Sequence, residues 1–305
     1  MLVEDIQNIL EQNSQDLSCE FKRLFHGRGK LYKDFEFLTI DSIDDILSVA
    51  FYFKCNENIE KELLEMLKKF ILDTKHNTIV LQRRYIQKTT AEIIVGELKN
   101  DLYVIENGIK IKINLLSNQN SGYFPDMKNG RAFIKEISKD KKVLNLFSYT
   151  CGFSLSAISG KAYSVTNIDM AKGALSTGRA NHHLNNLDTY NVKFYPYNIL
   201  KSFSKIKRES PYDIIIIDPP TFQKGSFETT KDYDKIIKRL GVISSKDCIV
   251  LACLNSPDLN ESFITNLFKE FAPNFEFIKR LSNLKEFKSL DENRSLKNLV
   301  FKRSN

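Results

Sequence analysis

Asp213-Ile214-Ile215-Ile216-Ile217-Asp218-Pro219-Pro220-Thr221-Phe222 places four consecutive isoleucines before a carboxylate, two prolines and an aromatic. An unbroken β-branched run is the pattern of a strand buried on both faces, as in a parallel sheet covered by helices. The prolines have no N–H to donate, so they stop the strand and stiffen the loop after it. Ligands of open α/β sheets bind just outside such carboxyl ends. An acceptor at Asp218, fixed carbonyls at Pro219 and Pro220 and a ring at Phe222 suit a flat substrate with hydrogen-bonding edges, such as a nucleobase.

Outward from that run, the second half of the chain alternates strand and helix. Strands are predicted over 143–147, 164–168, 192–195, 213–217 and 248–252, with two more at 275–280 and 298–302. Helices are predicted from 153 onward and over 172–184, 231–244 and 259–271. The expected fold class is therefore α/β, a Rossmann-like seven-stranded sheet with helices on both faces. The first half reads differently. It has a helical pattern over 3–26, a second over 58–72, and short strand-like runs at 35–40, 46–53, 78–83, 92–96, 102–105 and 109–115. Asn107-Gly108 between the last two runs is a hairpin turn signal. A small α+β domain over 1–118 and a larger domain over 119–305 follow, with the change of character at Asn118-Gln119-Asn120-Ser121-Gly122.

At 305 residues, with 42% hydrophobic and 27% charged, the composition is that of a soluble globular protein. No apolar run reaches a membrane span, and no signal peptide opens the chain. The five scattered cysteines form no C-x-x-C pair, which argues against a disulfide framework or structural zinc and for a reducing cytoplasm. His26, His76, His182 and His183 form no ligand pattern, so no metal is expected. The net charge of +7 is uneven: residues 1–120 carry 16 Lys and Arg against 19 Asp and Glu, residues 121–305 carry 29 against 19. A basic half that also holds a nucleobase-type site suits a polyanionic partner.

The first strand of that half runs Val143-Leu144-Asn145-Leu146-Phe147 into the turn Ser148-Tyr149-Thr150-Cys151-Gly152. Such a turn is where nucleotide-like cofactors meet backbone. A dinucleotide would want G-x-G-x-x-G, and only Gly152 is present, which disfavours a nucleotide-dependent oxidoreductase. A cofactor with an adenosine and no phosphates needs less, and S-adenosylmethionine fits. The second strand ends at Asp169, 17 residues past Gly152, where a carboxylate can accept from both ribose hydroxyls. Met170 beside it suits packing on the adenine. The plainer readings are a tight turn at Gly152 and a helix N-cap at Asp169.

Asn120-Ser121-Gly122-Tyr123-Phe124-Pro125-Asp126-Met127 with Arg131, the 143–150 run, Asn167-Ile168-Asp169-Met170 and Ile217-Asp218-Pro219-Pro220-Thr221-Phe222 together resemble a family of S-adenosylmethionine-dependent methyltransferases. That family includes the bacterial large-subunit rRNA enzymes making 5-methylcytosine and 7-methylguanine. The likeness covers residues 120–260, and the small module resembles the family's central domain, without the PUA RNA-binding domain usual ahead of it. The resemblance implies that Tyr123, Phe124, Asp126 and Arg131 close over the cofactor. It implies that Asn145, Phe147, Ser148, Tyr149 and Thr150 line its methionine end and that Asp169 holds the ribose. Asn198 falls where the family usually has an Asp near the adenine amine. Cys151 replaces a frequent Gly and reads as a small buried residue.

Two chemistries fit. A base nitrogen can attack the methyl directly, with Asp218 and Pro219 anchoring the base edge and Phe222 stacking on its face. Carbon 5 of a pyrimidine needs a thiolate to add first and a base to remove the proton later. Cys253, after the strand 248–252, stands at the same sheet edge as Asp218, although Ala252-Cys253-Leu254 differs from the Ser-Cys-Ser of the 5-methylcytosine branch. Cytosine carbon 5 in RNA, ribosomal RNA above all, is the narrow favourite. A base nitrogen and a catalytically silent RNA-binding relative are the alternatives. Lys224, Lys231, Lys235, Lys238 and Arg239 beyond the loop suit either phosphates or a solvated face, and Arg28 and Lys30 suit either a grip on RNA or a plain interdomain loop. The oligomeric state is left open.

Overall fold

The computed structural model describes residues 2–15, 18–86, 91–116 and 120–304. The chain divides into one unit of Met1–Pro125 with Leu284–Asp291 and a second of Asp126–Asn283 with Glu292–Asn305. Residues 118 and 119, where the sequence changes character, lie outside the described residues.

In the first unit α1 (Val3–Asn13) buries Val3, Ile6 and Leu10. The helix expected over 3–26 stops there, because Lys22–His26 is a strand, β1. Leu24 and Phe25 in β1 are both buried, and pairing with β2 (Leu38–Ile43) overrides the helical spacing of the apolar residues. β2 turns back into β3 (Ile46–Phe51), and α2 (Glu57–Phe70) crosses over to β4 (Thr78–Arg83), which runs parallel to β3. β5 (Ala91–Val95) closes the order β1-β2-β3-β4-β5. Leu10 of α1 and Leu63 and Leu67 of α2 share one core with Leu38, Val49 and Leu81. β6 (Tyr103–Glu106) and β7 (Ile109–Lys112) form the hairpin expected at Asn107-Gly108, whose φ values of 50° and 78° are those of a two-residue type I′ turn.

The return of Leu284–Asp291 to this unit explains one glycine, and the loop after β1 explains another. A Cβ on Gly29 would lie 2.0 Å from the Lys288 carbonyl oxygen, and Leu290 N donates to Gly29 O at 2.7 Å. A Cβ on Gly27 would lie 1.8 Å from Phe35 O. Glycine is therefore required on both sides of Arg28, whose guanidinium rests 4.1 Å from the Tyr52 ring centre.

The second unit opens with α3 (Lys128–Ile137) and then alternates: β8 (Lys142–Leu146), α4 (Gly152–Ser159), β9 (Ser164–Ile168), α5 (Lys172–Leu184), β10 (Val192–Tyr195), α6 (Phe203–Arg208) and β11 (Tyr212–Ile217). A two-residue ribbon, β12 (Phe222–Gln223) and β13 (Phe227–Glu228), precedes α7 (Thr229–Ile237) and α8 (Leu240–Ile243). β14 (Ser244–Leu254), α9 (Glu261–Phe271), β15 (Phe275–Leu281) and β16 (Lys297–Arg303) complete it. The sheet order is β10-β9-β8-β11-β14-β16-β15, with β16 alone running antiparallel to the other six strands. This is a Rossmann-like α/β fold with the seven strands read from the sequence.

The isoleucine run behaves as its pattern demands. Ile215 and Ile217 pack into a core with Tyr233, Ile236 and Leu240, while Ile214 and Ile216 pack into one with Val143, Phe153 and Leu251 on the other face. All four are essentially inaccessible, each stabilising the fold by about 1.5–3 kcal/mol. Among the described residues no helix is long and apolar enough to cross a membrane.

Candidate active site

Strand register decides which side chains meet. Leu146 of β8 pairs with Ile168 of β9 and with Ile217 of β11, and Ile217 pairs with Ala252 of β14. The next residues, Phe147, Asp169, Asp218 and Cys253, therefore stand in line at the carboxyl edge. The strand order reverses around β8, the topological switch where ligands of such sheets bind.

The turn after β8 is wound tightly. Phe147, Tyr149 and Cys151 have φ of 57°, 47° and 64°, left-handed values that cost a residue with a side chain about 1–2 kcal/mol each. Hydrogen bonds hold the turn: Ser148 N to Ile168 O at 3.1 Å, Tyr149 N to Asp169 Oδ2 at 2.9 Å, Cys151 N to Ser148 O at 2.7 Å, and Asn181 Nδ2 of α5 to Thr150 O at 3.2 Å. Strain kept in place this way is typical of ligand sites. A Cβ on Gly178 would stand 2.4 Å from Cys151 Sγ, so only glycine lets α5 reach the turn. Cys151 itself is fully buried and its thiol is raised by desolvation, as suits a packing residue.

Asp169 is buried, and burial raises its carboxyl above the usual value. Oδ1 accepts from Ala171 N at 2.8 Å and Oδ2 from Tyr149 N at 2.9 Å. The capping role and the acceptor role thus coexist, since each carboxylate oxygen keeps a second lone pair. Phe147, Met170, Tyr197, Asn198, Ile199 and Gln223 line a small cleft beyond it. Met170 is 42% exposed there, and Asn198 Oδ1 accepts from Lys201 N at 3.1 Å.

Two buried oxygens of the first strand and turn, Asn145 Oδ1 and Ser148 Oγ, have no hydrogen-bond partner; the third such atom among the described residues is Asn298 Oδ1. An orphan buried acceptor costs about 1–3 kcal/mol, so a pair of them beside a strained turn fits a ligand with donors. A methionine end with its ammonium group has that chemistry.

Just beyond β11, the Asp218 carboxyl is pushed up to about 7. Desolvation is the main cause, the Asp126 carboxylate adds to it, and the Arg131 guanidinium opposes it. Arg131 is buried on α3 and lies over Gly152, where a Cβ would be 3.4 Å from its Cδ. Pro219 is buried, Pro220 is exposed and Phe222 is 65% exposed at the start of the β12–β13 ribbon. Phe227 of that ribbon packs edge-on to Phe147, 4.8 Å between ring centres. Cys253 is 1% exposed, and its thiol is pushed well above the usual value by burial, then by Asp218 and Asp126.

Asp126, Arg131, Asn145, the 147–152 turn, Asp169, Met170, Asn198, Asp218, Phe222 and Cys253 all belong to the second unit. Tyr123 and Phe124 belong to the first, where the Tyr123 hydroxyl donates to Glu106 Oε2 at 2.6 Å and Phe124 is 39% exposed. Lys231, Lys235 and Lys238 pair with Glu228, Asp232 and Asp234, three or four residues away along α7 and its caps, the solvated-face arrangement. Two residues carry weight without having stood out in the sequence. The buried Tyr233 hydroxyl lies 3.2 Å from Cys253 O and 3.4 Å from Ile217 O, tying the ends of β14 and β11 together. His182, one of the four histidines without a ligand pattern, is fully buried and hydrogen-bonded on both ring nitrogens. Among the described residues no cluster of His, Cys, Asp and Glu could hold a metal.

Comparison with known proteins agrees with this geometry. The model of the S-adenosylmethionine-dependent methyltransferase family matches residues 22–302. Ribosomal RNA large subunit methyltransferase I of Aeromonas salmonicida is 30% identical over 62% of this chain and 49% of its own length. The Bacillus subtilis protein YwbD, named as a candidate ribosomal RNA large subunit methyltransferase, is 29% identical over 88% of this chain and 70% of its own. The chain thus spans about half the length of the first relative. The solved structure of SMU.776, a candidate methyltransferase complexed with SAH (S-adenosylhomocysteine), superposes with a TM-score of 0.87 at 23% identity, over 99% of this chain and 82% of that one. The chain belongs to the S-adenosylmethionine-dependent methyltransferase family.

Proposed function

We propose that this protein methylates a base of RNA, ribosomal RNA above all, at a nitrogen. The observation that carries the choice of atom is the Asp218 carboxyl, held near 7 at the sheet edge one strand from the cofactor turn. S-adenosylmethionine supplies a methyl group activated on a positively charged sulfur. The target nitrogen would take that methyl in place of the sulfur. The proton it sheds goes to Asp218, whose pKa suits a general base near neutrality. The Pro219 carbonyl and Asp218 fix the base edge, and exposed Phe222 offers a stacking face. A paired base has to leave its stack to reach this edge. In the cofactor cradle, Asn145 and Ser148 would accept from the methionine end and Asp169 from the ribose, and Asn198 and Met170 would meet the adenine.

RNA as substrate draws on the names of the relatives and on the basic second half. The division into a small α+β domain and a methyltransferase domain is part of the same proposal. Methylation of cytosine carbon 5 is the second reading, favoured by the place of Cys253 beside Asp218. It asks for a thiolate where burial and two carboxylates oppose one. Calorimetry with S-adenosylmethionine tests the cradle: micromolar binding is expected, and none at millimolar cofactor would refute it.

A further inference from the structure

Beneath the cofactor turn, four fully buried side chains from four elements form one chain of hydrogen bonds. His182 Nδ1 on α5 lies 2.7 Å from Gly178 O. His182 Nε2 lies 3.0 Å from Ser154 Oγ on α4. Ser154 Oγ accepts from Asn167 Nδ2 on β9 at 3.0 Å. Asn167 Oδ1 accepts from Asn145 Nδ2 on β8 at 2.9 Å. Asn145, Asn167, Ser154 and His182 are each 1% exposed or less. The chain ends at Asn145 Oδ1, which has no partner.

The direction of this chain is dictated from its far end. A backbone carbonyl can only accept, so Nδ1 of His182 carries the proton. In the neutral ring Nε2 must then accept, and the Ser154 hydroxyl donates to it. Ser154 Oγ is left to accept from the Asn167 amide, and Asn167 Oδ1 to accept from the Asn145 amide. Asn145 is thereby held with its oxygen free. Reversing its carboxamide would set two carbonyl oxygens against each other and strand a buried donor, a loss of the order of an unmade buried hydrogen bond. Desolvation keeps His182 neutral, which maintains the sequence of donors.

We infer that His182 is a positioning residue: through Ser154 and Asn167 it orients Asn145 Oδ1 as an acceptor for the amino-acid end of the cofactor. The inference rests on the proposed cradle and adds to it a residue three hydrogen bonds away from Asn145. It separates orientation from simple packing, because in the proposed cradle the adenosine part rests on Asp169, Met170 and Asn198 and not on Asn145.

The test uses the full-length protein and two ligands, S-adenosylhomocysteine and 5′-methylthioadenosine, which lacks the amino-acid end. His182→Leu and Ser154→Ala are each expected to weaken S-adenosylhomocysteine about tenfold and to leave 5′-methylthioadenosine within about twofold. The double variant is expected to be no worse than either single one, since both break one path. Equal loss for both ligands, or no loss for either, would overturn the inference while leaving the cradle in place. Nitrogen NMR of His182 gives a readout that needs no ligand: the Nδ1–H tautomer is expected, and the Nε2–H tautomer overturns the inference. Failure of the unaltered protein to bind S-adenosylhomocysteine would instead sink the cradle itself.

Discussion

Asp218 and Cys253 each stand one residue beyond the registered pair Ile217–Ala252, on adjacent parallel strands of the same sheet edge. Their closeness works against the thiol. The carboxyl repels a thiolate, burial repels it further, and the same burial lifts the carboxyl into the range of a neutral-pH base. One pair of residues therefore divides the two chemistries that fit this site.

Replacing Cys253 by Ala is expected to leave the methylation rate within about threefold, because in the proposed nitrogen route the thiol makes no bond to the base. The loss of a buried sulfur should destabilise by about 1 kcal/mol, at the low end for large-to-small core changes. Single-turnover kinetics with the unaltered protein as reference checks this, and a fall of a thousandfold or more would restore the covalent route.

The pH dependence follows from Asp218. As a base it works deprotonated, so the rate should rise with pH and level off above about 7. Removing the opposing charge in Arg131→Met should move that limb to higher pH, and Asp126→Asn should move it lower. Stability runs the other way. The folded carboxyl binds its proton more tightly than the unfolded one, whose value is 3.8. The native state is thus favoured below about 4 and loses up to about 4 kcal/mol as pH rises through 7. Asp218→Asn should abolish the rate and flatten denaturant midpoints across that window.

How much of this was legible in the chain varies with the physics. The parallel strands were readable because residues such as Ile214–Ile217 are buried on both faces and leave a continuous apolar run. β1 was not, because Leu24 and Phe25 are two apolar residues whose state depends on a partner strand. The return of Leu284–Asp291 to the first unit left no local signal, since Gly29 and Lys288 meet only in three dimensions. Asp169 and Asp218 were visible because strand ends are punctuated by acids and prolines. Asn145 and Asn167 occupy equivalent places before successive strand ends, a clue to their pairing. His182 offered none, as spacing on a helix does not say which histidine finds a serine.

Gly178→Ala should be destabilising. The added methyl favours the helix by about 1 kcal/mol, but it meets Cys151 Sγ at 2.4 Å and Cβ at 2.9 Å, and overpacking of that kind costs about 1–3 kcal/mol. The turn should shift, and cofactor affinity should fall with it. Cys151→Gly removes both clashing atoms and relieves the left-handed φ, so the double variant should recover most of the thermal stability. Strict additivity of the two changes would contradict the close approach.

Tyr233→Phe removes a hydroxyl shared by Ile217 O and Cys253 O. A loss of about 1 kcal/mol in stability is expected. The ends of β11 and β14 would separate, so kcat should drop several-fold while the KM for S-adenosylmethionine stays the same. Steady-state kinetics with cofactor varied checks the split.

The most direct measurement takes total RNA from a strain lacking this gene, treats it with purified protein and methyl-labelled S-adenosylmethionine, and identifies the labelled nucleoside by mass spectrometry. Label on a base nitrogen of ribosomal RNA, kept with Cys253→Ala and lost with Asp218→Asn, is the expected result. Label on cytosine carbon 5 that disappears with Cys253→Ala, or no label in RNA at all, would contradict it.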